Sequence, residues 1–185
     1  MSRPLSLFTR LAQKHKPECI MSLDGTLPEA VPAPEELART LGSDALAKYA
    51  SDCRPIYDDL RRIIGQLAGL TILARLTSRR EIRDLPELQN CEMRWKEASE
   101  RLSTLQTPAG AASHRTQLEA ALAFCWAAMR TFSELQGQEA LDMALDQAGV
   151  QIKRAYSHLQ AASWQRAGLE MVDFSHSCCC CNSSV

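Results

Sequence analysis

The sequence predicts an all-α protein: an antiparallel four-helix bundle with an extra N-terminal helix and a flexible Cys-rich C-terminal tail. Three observations carry this. Apolar residues recur in alternating steps of three and four along four separate segments, which puts them on one side of a helix. Pro and Gly punctuate the segments at Pro55, Pro86, Pro108, Gly110 and Gly137. Ala and Leu are abundant, and both are strong helix formers.

Residues 1–33 read as an irregular, basic, Pro-containing segment. Met1 to Lys16 carries Arg3, Arg10, Lys14 and Lys16 without an acid. It lacks the apolar run of a secretory signal, although Leu5, Phe8 and Leu11 could line one side of a short helix. Pro17, Pro28, Pro32, Pro34 and Gly25 then make residues 17–34 read as coil. The Leu-Asp-Gly-Thr at 23–26 lacks the second aspartate that a phosphate-chemistry loop needs.

Residues 34–168 are expected to form the bundle. A first helix starts at Pro34, with Glu35 and Glu36 at its positive end, and breaks at Gly42. Ser43 can cap a continuation towards Cys53. Pro55 opens a longer helix with an apolar seam of Ile56, Leu60, Ile63, Leu67, Leu70 and Ala74. Gly65 and Gly69 share one face of it. Each costs about 1 kcal/mol relative to Ala, so the pair is expected to let another backbone approach.

Thr77 to Pro86 reads as a charged connector. Leu88, Cys91, Trp95, Ala98, Leu102 and Leu105 make the second seam, with Glu92–Lys96 and Glu97–Arg101 spaced as outer-face pairs. After a break at residues 107–112, Ser113 is expected to cap a helix with the seam Leu118, Leu122, Cys125, Met129 and Phe132. The last seam is Leu141, Leu145, Ala148, Ile152, Ala155, Leu159 and Ala162. It is two residues out of phase with its predecessor. At about 100° per residue that is a rotation of about 200°, so one rod gives way to a turn at Gly137 between antiparallel helices. Gly168 is expected to end the last helix. Cys53, Cys91 and Cys125 all fall on seams and read as core thiols.

The tail, residues 169–185, holds the one unusual chemistry: His176 followed by Cys178, Cys179, Cys180 and Cys181. Thiolates and an imidazole suit Zn or Cu(I), although adjacent cysteines lack the separated pairs of a structural zinc site. The same four cysteines could be S-acylated, and two chains would anchor a protein to a membrane. They could also be reduced thiols without a dedicated role. A prenylation box fails because Asn182 occupies the required position. Ser183-Ser184-Val185 has the look of a terminus gripped by a strand-adding domain.

Charge and motifs narrow the function classes. The net charge is −1, which gives no reason to expect nucleic acid. The uncharged stretch Ile63–Ala74 is well short of the ~20 apolar residues that span a bilayer, so membrane contact is expected through the tail only. The basic residues Arg61, Arg62, Arg75, Arg79, Arg80 and Arg83 are interleaved with Asp58, Asp59, Glu81 and Asp84, as on a self-paired face. Ala111 and Ala155 stand three before His114 and His158, where a di-iron bundle needs Glu. Both histidines read as surface residues. No phosphate loop, dinucleotide fingerprint or nucleophile elbow is present in the sequence. The expectation is a non-enzymatic, cytoplasmic helical interaction protein with a protein partner. Metal binding by the tail is the alternative, and membrane anchoring by the same cysteines the second.

Overall fold

A computed structural model describes residues 32–77, 86–133 and 139–171. Among these residues 88 % are helical, in five helices without a strand, so the protein is all-α. The turn at Gly137 and the tail after Met171 lie outside the described residues.

Helix α1 spans Pro34–Leu41 and stops at Gly42, whose φ of 71° is a left-handed end. Helix α2 spans Asp44–Thr77. Its start is capped as expected: the Leu46 N–H donates to Ser43 Oγ at 3.4 Å. Pro55, however, lies inside α2 and does not open a new helix. A proline inside a helix costs about 3 kcal/mol. The buried stripe nevertheless runs in phase across it, from Tyr49 and Cys53 to Ile56, Tyr57 and Leu60. Each large side chain buried on that stripe gains about 1.5–3 kcal/mol, which outweighs one broken backbone bond. The ring itself is exposed.

Helix α3 spans Pro86–Thr104. Helix α4 spans Ala112–Ser133 and is entered through a single 3₁₀ turn at Ala109–Ala111. That turn corrects the expectation for Ser113. Pro108 holds an extended backbone and its carbonyl accepts the Ala111 N–H at 2.8 Å. Ala111 is buried. The helix is therefore under way before Ser113, which sits exposed in its first turn.

Helix α5 spans Glu139–Ala161. It ends well before Gly168, a second correction. The chain turns back at Trp164, whose N–H and carbonyl both bond to Leu169, at 2.6 and 3.1 Å. A 3₁₀ turn, Gln165–Ala167, lies between them, and Gly168 closes it at φ 64°. Trp164 packs on Tyr49 and His114, and Leu169 is buried, so core contacts hold this turn where the helix would otherwise continue.

Cross-helix contacts fix the order. Asp59 meets Arg101 and Gln66 meets Cys91, so α2 and α3 are antiparallel. Leu105 meets Arg115 and Trp95 meets Leu122, so α3 and α4 are antiparallel. Gln117 meets His158 and Phe124 meets Arg154, so α4 and α5 are antiparallel. Arg75 meets Asp146 and Tyr57 meets the Leu159 carbonyl, so α5 runs antiparallel to α2 as well. Every seam position with a described side chain is buried, save Trp95, which is half-buried. The side chain of Leu141 lies outside the described residues.

Two further points concern α2. The Asp59 carboxylate is almost fully buried and accepts from Arg94 at 3.3 Å and Arg101 at 2.8 Å, both on α3. Gly65 and Gly69 are exposed, and a Cβ added at either would meet nothing within 4 Å. Among the described residues no backbone approaches either glycine.

Candidate functional site

The residues singled out by sequence, His176, Cys178, Cys179, Cys180 and Cys181, lie outside the described residues. Among the described residues no three His, Cys, Asp or Glu side chains gather as a metal site. No described helix is long and apolar enough to cross a membrane. Two other places bring polar or aromatic side chains together.

The first joins the start of α2, the start of α4 and the turn after α5. The Tyr49 hydroxyl lies 2.9 Å from His114 Nδ1, with the rings edge-to-face. Trp164 packs against both rings. Burial pushes the Tyr49 phenol well above its ordinary range, with the neighbouring Cys53 adding to the shift. Burial lowers the pKa of His114, and the facing backbone of Ala162 partly opposes the shift. The neutral imidazole therefore accepts the Tyr49 proton at Nδ1, while Nε2 is buried without a well-formed hydrogen bond. Close by, Arg54 donates to the carbonyls of Ala167 and Gly168, at 2.6 and 3.0 Å. These contacts sew the last turn onto α2. The sequence expectation of surface histidines is corrected for His158 too, which stacks on Phe124 and bonds Gln117 at 2.8 Å.

The three core thiols are chemically quiet. Burial raises Cys53 and Cys125 to about 12 and Cys91 to about 11. A thiol with such a pKa is protonated at neutral pH and is neither a good ligand nor a nucleophile. All three are free.

The second place is a groove of about 480 Å³ between α3 and α4. Its apolar floor is Trp95, Leu102, Leu122 and Trp126; Ser99, Arg115 and Glu119 stand along it. The Trp95 and Trp126 rings stack with centroids 4.7 Å apart. Trp95 is anchored through Nε1, which donates to the Leu122 carbonyl at 2.9 Å. Trp126 stacks on it and remains 40 % exposed. Arg115 is locked to Glu119 at 2.8 Å and to the Leu105 carbonyl at 2.8 Å. The groove thus offers a rigid aromatic surface beside a fixed pair of opposite charges. Sequence reasoning placed Trp95 on a seam and passed over Trp126. The available signal was a bulky aromatic directly after a seam cysteine, pointing off the core.

Comparison with protein-family models, curated proteins and solved structures gives no match to this chain.

Proposed function

We propose that the protein is a non-enzymatic helical interaction protein, an antiparallel four-helix bundle with one extra helix ahead of it, which offers the α3/α4 groove to a segment of a protein partner. The observation that carries this is Trp126, a large aromatic stacked on an anchored neighbour yet left 40 % exposed at a groove. Tryptophan is the residue type most enriched at the energetic centres of protein interfaces. An exposed aromatic cluster rimmed by polar groups is a recurring mark of an interaction surface. The matching segment carries an apolar anchor for the Trp pair and polar flanks for Arg115, Glu119 and Ser99. Free core cysteines favour a reducing, cytoplasmic setting. The test is co-purification from the source cell with the wild-type chain and with Trp126→Ala. A stoichiometric partner retained by the wild type and lost by the folded variant supports the reading; equal recovery by both contradicts it.

A second reading rests on sequence chemistry alone. Four adjacent cysteines after His176 form a dense soft-ligand cluster for Zn or Cu(I), with Cys178 to Cys181 also open to S-acylation. Elemental analysis of anaerobically purified protein, with and without residues 175–185, tests the metal. Loss of bound Zn or Cu on deletion supports it, and a metal-free full chain with weak affinity on titration contradicts it. Intact mass from the native cell tests the acyl chains: an unmodified tail in membrane-associated molecules sinks that version.

A further inference from the structure

The outward face of α2 carries features that nothing within the described residues explains. Ile72 and Leu76 are 60 % and 68 % exposed on adjacent turns. Gly65 and Gly69 stand on the same face, exposed, with open space where each Cβ would be. Two mid-helix glycines cost a helix about 1 kcal/mol each. No contact among the described residues offsets that cost.

We propose that this face docks against the same face of a second copy of the chain, with the two α2 helices antiparallel about a two-fold axis passing beside Gly69. The spacing is self-complementary. Arg62, Gly65, Gly69, Ile72 and Leu76 follow one side of the helix in steps of 3, 4, 3 and 4. The series reads nearly the same in both directions about Gly69. Glycines occupy one half and large apolar residues the other. A two-fold therefore seats Ile72 of each copy over the depression at Gly65 and Gly69 of its mate. It lays Leu76 along the aliphatic stem of Arg62 of the other copy. A closed pair follows, because each patch is its own complement.

The charges agree. Arg62 is exposed and has no ion pair among the described residues. The Arg75–Asp146 pair, at 2.5 Å, sets α5 beside the C-terminal end of α2. Asp142, one turn before Asp146 and also exposed, consequently lies alongside that end. The two-fold carries Arg62 of one copy to Asp142 of the other. It also carries that cation to the negative end of the partner helix's dipole. This surface is separate from the Trp126 groove, so either can fail without the other.

The test is sedimentation velocity of the full chain under reducing conditions, from low to high micromolar. The expected result is reversible dimerisation. Ile72→Glu or Leu76→Glu weakens it by about a hundredfold, as for a central interface residue. Both sites are exposed, so the monomer's thermal melt stays near that of the wild type. Gly69→Ala moves two readouts in opposite directions: the isolated chain gains stability while the dimer weakens. Arg62→Glu weakens the dimer, and adding Asp142→Arg restores it. A chain that is monomeric throughout the range overturns the proposal. So does a dimer indifferent to Ile72→Glu and Leu76→Glu, or one that disappears only when residues 175–185 are deleted.

Discussion

The Tyr49 hydroxyl lies 2.9 Å from His114 Nδ1, joining the first turns of α2 to those of α4. The two residues are 65 apart in sequence, and Trp164, from the turn after α5, closes over both rings. Three distant parts of the chain meet at one imidazole that burial holds neutral.

That geometry makes stability depend on pH. Burial lowers the His114 pKa in the folded state below its unfolded value of about 6.5. The folded state then binds fewer protons than the unfolded state as pH falls below that value. His114's contribution is fully present above about pH 6.5 and is lost as pH falls towards its lower folded pKa. The groups facing it are the Tyr49 hydroxyl from α2 and the backbone of Ala162, and Tyr49 is protonated at neutral pH. The unfolding free energy is expected to decline from pH 7 to pH 5 in the wild type. His114→Asn, which keeps an acceptor for Tyr49 but cannot titrate, flattens that decline. Equal slopes for the two proteins in urea melts would contradict the assignment.

Arg54 is expected to matter through backbone carbonyls rather than a carboxylate. It donates to Ala167 and Gly168 at 2.6 and 3.0 Å. Charge-assisted bonds of this kind contribute about 1.5–3 kcal/mol each before solvent screening, so Arg54→Ala should cost about 2 kcal/mol. Arg54→Lys should recover little, because an ammonium cannot reproduce the planar fork. Gly168→Ala attacks the same contact from the other side. Its φ is +64° and the new Cβ would stand 3.1 Å from Arg54 Nη2, so a loss of at least about 1 kcal/mol is expected. Equilibrium denaturation measures both. A neutral Arg54→Ala would show that core packing alone holds the last turn.

Gly65 and Gly69 predict the opposite sign. Both are helical, exposed and unopposed among the described residues. At concentrations where the chain is monomeric, Gly65→Ala and Gly69→Ala should each stabilise by about 0.5–1 kcal/mol. For a protein of this size that raises Tm by a few degrees. Destabilisation of the monomer by either would mean that a backbone or side chain does approach there.

The core thiols supply a fourth expectation. Cys53, Cys91 and Cys125 are buried, with pKa values of about 12, 11 and 12. Brief alkylation of the native protein followed by mass spectrometry should leave these three unlabelled, and denaturant should expose all of them. Rapid native labelling of any one would contradict its placement in the core.

The helices were legible where one face repeats. The seams from Ile56 to Ala74 and from Leu118 to Phe132 were read residue by residue, because burial imposes the helical period on the sequence itself. Pro55 was misjudged because a local rule was set above a longer pattern. Tyr49, Cys53, Ile56 and Leu60 keep their phase straight through the proline. Gly168 was misjudged for another reason: Trp164 turns the chain by packing on Tyr49 and His114, contacts no local pattern contains. The groove was illegible for the same cause. Trp126 gains its meaning from Trp95, on a different helix, and only the antiparallel pairing of α3 with α4 brings them 4.7 Å apart. The one site proposed from sequence, His176 with Cys178 to Cys181, lies outside the described residues and rests on composition.

The central claim is that the Trp126 surface receives a protein partner, and one measurement tests it most directly. Wild-type protein and Trp126→Ala, shown to melt alike, are each recovered from the source cell and their bound material quantified. The account predicts a stoichiometric protein with the wild type and at least a tenfold loss with the variant, a difference of about 1.4 kcal/mol. A partner held equally by both proteins would contradict it.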